Sequence, residues 1–235
     1  MRNVIVGVPS YDGRVDVWFA HALIEAIRVA PSRDVSLQPI FLSYDALIQR
    51  SRNDLFRIAA EAESDLFFID SDIEFNPEWI FSLISSGKDV IGAPCPKKSP
   101  IVESYNVRAL DSGIDVNEEG LAEVDGIGTG FMFISKDAVK QLWDAAEPYH
   151  NEGREGRMVF DVKIHEGELV GEDIVFCRKW RELGGTVWAH VGMTCNHVGT
   201  MKFSGNFYDF LKRLVEASQQ EEEVEEAEVV SEEEA

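Results

Sequence analysis

The stretch from Asp65 to Asp72 constrains the fold most, because four apolar residues end there in two aspartates separated by one serine. A short, unbroken apolar run is typical of a strand buried on both faces of a parallel sheet. Open α/β sheets place their ligands where such strands end. Asp70 and Asp72 could hold Mg²⁺ or Mn²⁺ there, because these hard cations prefer oxygen ligands and often bridge to phosphate. Alternatively, the two aspartates only cap the following turn, where aspartate is favoured.

Other apolar runs predict neighbouring strands of the same sheet. Strands are expected at 4–8, 89–93, 131–134 and 186–190. A weaker strand at 38–41 contains Pro39, which indicates an edge strand or an irregular start because proline cannot donate a ladder hydrogen bond.

Helical periodicity appears between these strands, at 15–30, 46–62, 77–86, 135–146 and 172–180. The segments 101–126 and 150–156 are typical of loops, the second of a mobile one. The sequence therefore predicts a single α/β domain with a mostly parallel central sheet of about six to eight strands and helices on both faces.

The formal charge of −21 is concentrated at the C-terminus. Residues 214–235 hold ten glutamates and no lysine or arginine, so the remainder carries −11. We predict a globular domain over 1–213 and an acidic, disordered or fraying-helix tail over 214–235. A negatively charged body without a dense lysine and arginine block argues against nucleic-acid binding.

The three cysteines form no Cys-x-x-Cys pair, and their odd number fits a reducing compartment. The apolar run at the N-terminus is too short for a signal peptide. No stretch approaches the length of a membrane span. We therefore expect a cytoplasmic protein without a membrane span.

Several polar residues near strand ends are candidates for ligand binding. The loop after the first strand, residues 9–13, lacks both the Gly-x-Gly-x-x-Gly and the P-loop pattern. Its Tyr11 could stack on a base or be an ordinary loop aromatic. Arg52 could bind a diphosphate or be a solvated helix residue. Lys97 and Lys98 could meet a phosphate, although exposed lysine is the commoner explanation.

Two later segments carry candidates for acid–base or metal chemistry. Asp173 shares a helix face with residues that pack inward, and a carboxylate there is costly unless it is paired or functional. Alternatively, Glu172 and Asp173 only favour the positive end of the helix dipole. His197 lies in a predicted loop, where its imidazole could reach a metal or simply be solvated.

These segments together resemble a nucleotide-sugar-dependent glycosyltransferase of the GT-A fold. The resemblance covers about Val4 to Gly199 and rests on the order of the motifs. They are Val-Pro-Ser-Tyr-Asp at 8–12, Arg52-Asn53, Phe68-Ile69-Asp70-Ser71-Asp72, Gly128-Thr129-Gly130-Phe131, Gly171-Glu172-Asp173 and His197-Val198-Gly199. Segments 101–126 and 150–168, which normally carry acceptor choice, match no motif.

The resemblance implies a GT-A-like catalytic domain over 1–213 and assigns roles to particular residues. Asp70 and Asp72 would form the metal-binding Asp-x-Asp and His197 would complete the site, with Mn²⁺ or Mg²⁺ as the cofactor. Asp173, with Glu172 beside it, would supply the base of an inverting enzyme. The expected contacts of a UDP- or GDP-sugar donor are Pro9, Tyr11, Asp12, Arg52, Asn53, Asp70, Ser71 and Gly130. The acceptor would be a carbohydrate or another hydroxyl compound.

Two other functions remain open from the sequence. A sugar-phosphate nucleotidyltransferase also combines an α/β sheet with Mg²⁺, but should carry a basic, glycine-rich loop after the first strand, which residues 9–13 do not form. A module that binds a nucleotide sugar or carbohydrate without turning it over would bind donor and metal yet transfer nothing.

Overall fold

The computed structural model describes the backbone of residues 1–233 and the side chains of residues 1–220. Six α-helices lie within this part of the chain: α1 (Val17–Val29), α2 (Ile48–Glu61), α3 (Glu78–Ile84), α4 (Lys136–Ala145), α5 (Glu172–Glu182) and α6 (Phe207–Glu233). A short 3₁₀ helix (Ala30–Arg33) follows α1.

The strands are β1 (Arg2–Ser10), β2 (Val35–Ser43), β3 (Asp65–Ile69), β4 (Ile73–Glu74), β5 (Val90–Gly92), β6 (Val107–Arg108), β7 (Leu121–Val124), β8 (Gly126–Ile127), β9 (Phe131–Ile134), β10 (Pro148–Asn151), β11 (Arg154–Arg157), β12 (Lys163–His165), β13 (Glu168–Val170), β14 (Val187–His190), β15 (Asn196–Val198) and β16 (Lys202–Phe203).

A seven-stranded sheet with the order β2-β1-β3-β9-β5-β14-β7 forms the centre of the domain. Five strands run in one direction, and β9 and β7 run in the other. The antiparallel strand β9 lies between β3 and β5, so it begins at the edge of the sheet where its parallel neighbours end. The chain entering β9 is thereby brought to the carboxyl edge of the sheet.

Helices cover both faces of the sheet, which explains the unbroken apolar run in β3. Leu66 and Phe68 pack into one core cluster with α2, α4 and α5, whereas Phe67 and Ile69 pack into another with α1 and α3. Each of the four is fully buried. A fully buried apolar side chain of this size contributes about 1.5–3 kcal/mol relative to an exposed one.

The predicted α/β domain with a mostly parallel sheet and helices on both faces is confirmed. Of the two alternatives for the strand with Pro39, the edge position is the one observed, because among the described residues β2 pairs only with β1. The loop prediction for 101–126 was incomplete, since the segment contains β6 and β7. The strand at 186–190 is not the last, because β15 and β16 follow it.

The loop predicted at 150–156 is wrong, because 148–157 forms the hairpin β10–β11. Its two-residue turn is Glu152-Gly153, and both residues have positive φ. A second hairpin, β12–β13, turns in the same way at Glu166-Gly167. Two-residue hairpin turns need this left-handed backbone, and glycine adopts it without steric cost. The repeated Glu-Gly pair was therefore a usable turn signal.

The C-terminal helix α6 begins with Phe207, which is buried against the ring of Tyr105 with centroids 4.8 Å apart. The backbone is helical to Glu233, and of the tail predicted over 214–235 only residues 234–235 lie outside the described residues. The proposed boundary at residue 213 thus lies inside α6, and it stays a prediction. No helix in the described part of the chain is long and apolar enough to cross a lipid bilayer.

Candidate functional site

One cavity of about 400 Å³ opens at the carboxyl edge of the central sheet. Its wall is formed by the segments that leave β3 and β5, the segment that enters β9, the start of α5, and β15. The residues that line it are Arg52, Asp70, Ile73, Cys95, Pro96, Lys97, Lys98, Asn106, Gly128, Thr129, Gly130, Glu172, Asp173 and His197. Segments far apart in sequence meet there because the antiparallel β9 delivers its glycine-rich approach to the same edge.

Backbone hydrogen bonds fix the segment that follows β3. The amide of Asp70 donates to the Gly130 carbonyl over 3.0 Å, and the amide of Ile73 donates back to the Asp70 carbonyl over 3.1 Å. The short strand β4 then pairs with β15, so His197 lies opposite Ile73. The amide of Val198 donates to the Asp72 carbonyl over 2.8 Å. The Asp-x-Asp segment and the histidine are therefore held by one small sheet.

Asp72 and His197 form a pair of possible metal ligands. The ring atom Nε2 of His197 lies 3.3 Å from Asp72 Oδ1, and its Nδ1 lies 2.9 Å from the Pro96 carbonyl oxygen. A carbonyl only accepts, so Nδ1 carries a proton. In the neutral ring, Nε2 then presents a lone pair to a carboxylate oxygen. A cation between them would satisfy both atoms, and a histidine bound to a metal usually donates its other N–H in this way.

This donor set fits a divalent cation that also binds its substrate. Within residues 1–220, no three or more His, Cys, Asp or Glu side chains cluster closely enough to hold a metal ion. Mg²⁺ commonly uses one or two carboxylates and takes its remaining ligands from water and phosphate. Burial alone would raise the pKa of Asp72, but the hydrogen bond that His197 donates when its ring is protonated and the one from Lys98 outweigh it and hold that pKa below its usual value. Asp72 is therefore ionised at neutral pH.

Arg52 joins two of the acidic residues of the cavity. Its Nη2 donates to Asp70 Oδ1 over 3.2 Å, and its Nη1 donates to Glu172. The Arg52 side chain is only 6% exposed. The sequence offered this arginine as a diphosphate ligand, whereas in the structure it balances two carboxylates. It fixes the start of α5 relative to the end of β3.

Asp173 is the acidic residue of the cavity best suited to accept a proton. Burial raises its pKa above the usual value, and the nearby charge of Glu172 adds to this effect against the opposing charge of Arg52. Its Oδ1 accepts from the amide of Ile174 over 2.8 Å, and its Oδ2 accepts from the side chain of Asn106. A half-buried carboxylate that is oriented by two donors and has a raised pKa has the properties of a general base.

Two glycines of the segment before β9 leave room for these carboxylates. A Cβ at Gly130 would lie 3.3 Å from Asp70 Oδ2, and one at Gly128 would lie 3.6 Å from Asp173 Oδ2 and 3.2 Å from Asn106 Nδ2. The predicted site residue Gly130 thus lies beside Asp70. Between the two glycines, the buried Thr129 hydroxyl has no hydrogen-bond partner among the described residues and lines the cavity.

Sequence reasoning missed Asn106 and left two possibilities for Lys98, a phosphate contact or an exposed lysine. Asn106 lies in a segment that was predicted to be loop. It reaches the site because β6 pairs with β8 and the amide of Gly128 donates to the Asn106 carbonyl over 2.8 Å. No local pattern signals such a contact. Lys98 donates to Asp72 over 2.5 Å.

Five predicted donor-binding residues lie outside the cavity wall: Pro9, Tyr11, Asp12, Ser71 and Asn53, the last of which is described below. Pro9 is buried at the end of β1, and Asp12 and the 75% exposed Tyr11 lie in the loop that follows. The amide of Asp16 donates to the Ser71 carbonyl over 2.8 Å. This bond ties the loop after β1 to the segment after β3. The loop therefore lies next to the segment that carries Asp72, but it does not line the cavity.

Asn53 has a structural environment. Its side chain is 1% exposed, accepts from the amides of Val159 and Phe160 over 3.0 and 2.8 Å, and donates to the Phe160 carbonyl over 2.8 Å. It thereby fixes the segment between the hairpins β10–β11 and β12–β13. With its amide group fully occupied, we leave Asn53 out of the proposed donor site.

Asn53→Ala is expected to lower the free energy of unfolding by about 2–3 kcal/mol. The change leaves the buried amides of Val159 and Phe160 and the carbonyl of Phe160 without their hydrogen-bond partner. Urea unfolding would measure the change. Asn117→Ala, in an exposed turn, is the matched control and should cost less. Equal effects would contradict the structural assignment of Asn53.

The chain matches no protein-family model and no curated protein sequence. Among solved structures it is similar to A197 from STIV, with 19% identity over 85% of this chain and 86% of that chain and a TM-score of 0.51. This similarity shows a shared fold and nothing about activity. The α/β architecture that the resemblance implied is confirmed at this level.

Two other solved structures are more distant. One is a UDP-glucose pyrophosphorylase complexed with UDP-glucose, with 10% identity, coverage of 87% and 92% of the two chains and a TM-score of 0.46. The other is a glycosyltransferase involved in the glycosylation of the major capsid of PBCV-1, with 14% identity, 60% and 65% coverage and a TM-score of 0.30. The functional argument therefore rests on the geometry of the cavity.

Proposed function

We propose that this chain is a cation-dependent glycosyltransferase that moves a sugar from a nucleoside-diphosphate donor to an acceptor hydroxyl. One observation carries the proposal. A single cavity is lined by His197, which pairs with the adjacent Asp72 in an arrangement suited to a divalent cation, and by Asp173, which is suited to accept a proton. Three free cysteines agree with activity in a reducing cytoplasm, which is part of the proposal.

The cation would be held by Asp72 and His197, with Asp70 close by. Mn²⁺ or Mg²⁺ bound there would neutralise the charge that develops on the departing diphosphate. Both protein ligands are oriented in advance, His197 through the Pro96 carbonyl and Asp72 through the amide of Val198 on its own carbonyl. The loop that carries Tyr11, tied to Ser71, is where we place the contact with the base of the nucleotide, UDP or GDP.

Asp173 would take the proton of the acceptor hydroxyl as its oxygen attacks the anomeric carbon. The bond between that carbon and the diphosphate breaks in the same step, and the diphosphate leaves with the electron pair. Asn106 and the amide of Ile174 hold the carboxylate in place. Glu172 is paired with Arg52, so we assign it a positioning role.

A thermal-shift screen tests the proposed function. The protein would be heated with Mn²⁺ together with UDP, GDP or CDP and the corresponding nucleotide sugars. A ligand that binds only the folded form raises the midpoint, and a tighter ligand raises it more at the same concentration. The proposal fails if no nucleoside diphosphate raises the midpoint. Products then distinguish the reactions: a transferase releases a nucleoside diphosphate, and a nucleotidyltransferase releases pyrophosphate from a nucleoside triphosphate. Binding without either release would favour a non-catalytic module.

Asp72→Ala is expected to remove the Mn²⁺-dependent part of nucleotide affinity, because it deletes the ionised ligand and leaves His197 alone. Isothermal titration with and without Mn²⁺ would measure this. Asp111→Ala, at an exposed turn remote in sequence, is the control and should retain the full metal effect. If Asp72→Ala keeps an undiminished response to Mn²⁺, Asp72 is not a metal ligand.

A further inference from the structure

We propose that Lys98 is a built-in cation of this site, paired with Asp72 when no divalent cation is bound and contacting the donor diphosphate when one is. Only the second half of this proposal, the contact of Lys98 with the donor diphosphate, rests on the proposed function. The first half, competition between Lys98 and a divalent cation for Asp72, concerns the protein and the metal alone.

The two oxygens of Asp72 have different partners. Lys98 Nζ lies 2.5 Å from Oδ2, and His197 Nε2 lies 3.3 Å from Oδ1. A divalent cation bound to this carboxylate would therefore meet an ammonium group already in place. Two cations on one carboxylate repel each other, so binding of the metal favours departure of Lys98.

The surroundings of Lys98 contact its stem and leave the side chain partly exposed at the cavity wall. The backbone after β5 is closed by the pairing of Pro96 with Tyr105. The aliphatic stem passes Gly199, where a Cβ would lie 3.4 Å from Cδ and 3.6 Å from Cε. The side chain is 38% exposed and lines the cavity. A lysine ammonium on a flexible stem can move between two anions by rotation alone.

The ion pair is weak enough to be exchanged. Both side chains are about one-third exposed. Ion pairs with this exposure contribute little net free energy to stability. The phosphate of a bound donor would offer Lys98 a second anion in the same cavity. Lys97 lines the cavity as well, but the described residues give its side chain no ion-pair partner. It therefore serves as a matched control.

Mn²⁺ titration without nucleotide tests the competition. Lys98→Met keeps the stem and removes the charge, and we expect Mn²⁺ to bind about two- to fivefold more tightly, the range that loss of a partly exposed ion pair allows. Lys97→Met reports the general effect of removing a positive charge and should change the affinity less. Unchanged or weaker binding in Lys98→Met, or an equal gain in Lys97→Met, would overturn this half of the proposal.

Titration with diphosphates and nucleosides tests the second half. In the presence of Mn²⁺, Lys98→Met should bind UDP or GDP about tenfold more weakly, as expected for loss of one charged hydrogen bond. Uridine or guanosine affinity should stay unchanged, and Lys98→Arg should recover most of the loss. An equal loss for the nucleoside, or none for the diphosphate, would overturn it. If the wild-type protein binds no nucleotide, this half fails with the proposed function, and the Mn²⁺ result still decides the competition. Thermal midpoints of the variants check their folding.

Discussion

Asp173→Asn is expected to lower the rate of sugar transfer by roughly a hundredfold or more, the usual scale for loss of a general base. Asparagine has nearly the same size and can still accept from the amide of Ile174, but it cannot take the proton of the acceptor. Donor and Mn²⁺ affinity should hardly change, because Asp72 and His197 are intact. Single-turnover transfer and nucleotide titration would separate the two effects.

The pH profile gives an independent signature of the same residue. Because burial and Glu172 raise the pKa of Asp173, the wild-type rate should rise with pH through that raised pKa, and Asp173→Asn should lose this dependence. The contribution of Asp173 to stability has the opposite sign. It is full below the ordinary aspartate pKa and is lost as the pH rises through the folded-state pKa, where a charge must be buried. The variant should therefore be at least as stable as wild type at neutral pH.

The exposed Asp115→Asn is the control for Asp173→Asn and should keep the wild-type rate and pH profile. If the Asp173→Asn variant is unfolded, the Asp173 carboxylate has a structural role. A fully active one, together with an inactive Glu172→Gln, would move the base to the neighbouring residue. Activity in both variants would point to a retaining reaction.

Arg52→Met is expected to lower the free energy of unfolding by about 3–5 kcal/mol, the cost of removing one partner from a buried ion pair. The side chain is 6% exposed, and its loss leaves Asp70 and Glu172 without their shared cation. Methionine fills much of the volume, so the change reports charge more than packing. Urea unfolding monitored by circular dichroism would measure it.

The control for Arg52→Met is Arg28→Met, which removes an exposed helix ion pair with Glu25 and should hardly affect stability. Adding Glu172→Gln to Arg52→Met should restore part of the loss, because one uncompensated carboxylate is neutralised. If Arg52→Met is no more destabilising than the control, the buried network does not hold the start of α5 to the end of β3.

The main strands could be predicted because a strand that is buried on both faces requires an unbroken run of apolar residues in the sequence. Phe67 and Phe68 face opposite clusters, so neither position tolerates a polar residue, and the apolar run stops where the strand leaves the core. The direction of β9 could not be predicted in this way, because an apolar segment of four residues has the same composition in either orientation.

The candidate site was predictable where a residue directly follows a strand or begins a helix. Asp70, Glu172 and Asp173 meet that condition, and the structure brings all three to one cavity. Asn106 reaches it only through the pairing of distant segments, which leaves no local pattern. Asn53 shows the reverse case: its neighbour Arg52 lines the cavity, but one residue further round the helix the side chain points into the backbone of Phe160. The assigned roles in metal, donor and proton binding stay predictions.

The central strand β9 also determines when the site can first exist during synthesis. It pairs with residues 66–69 of β3 on one side and with residues 90–92 of β5 on the other, yet it is translated after both. Until the ribosome has released about residue 134, β3 and β5 each have an open apolar edge, which is the form of nascent chain most prone to aggregate. Fragments that stop before Phe131 are therefore poor candidates for expression. Asp72 can meet His197, and Asn106 can meet Asp173, only after the later half of the chain has joined the earlier one.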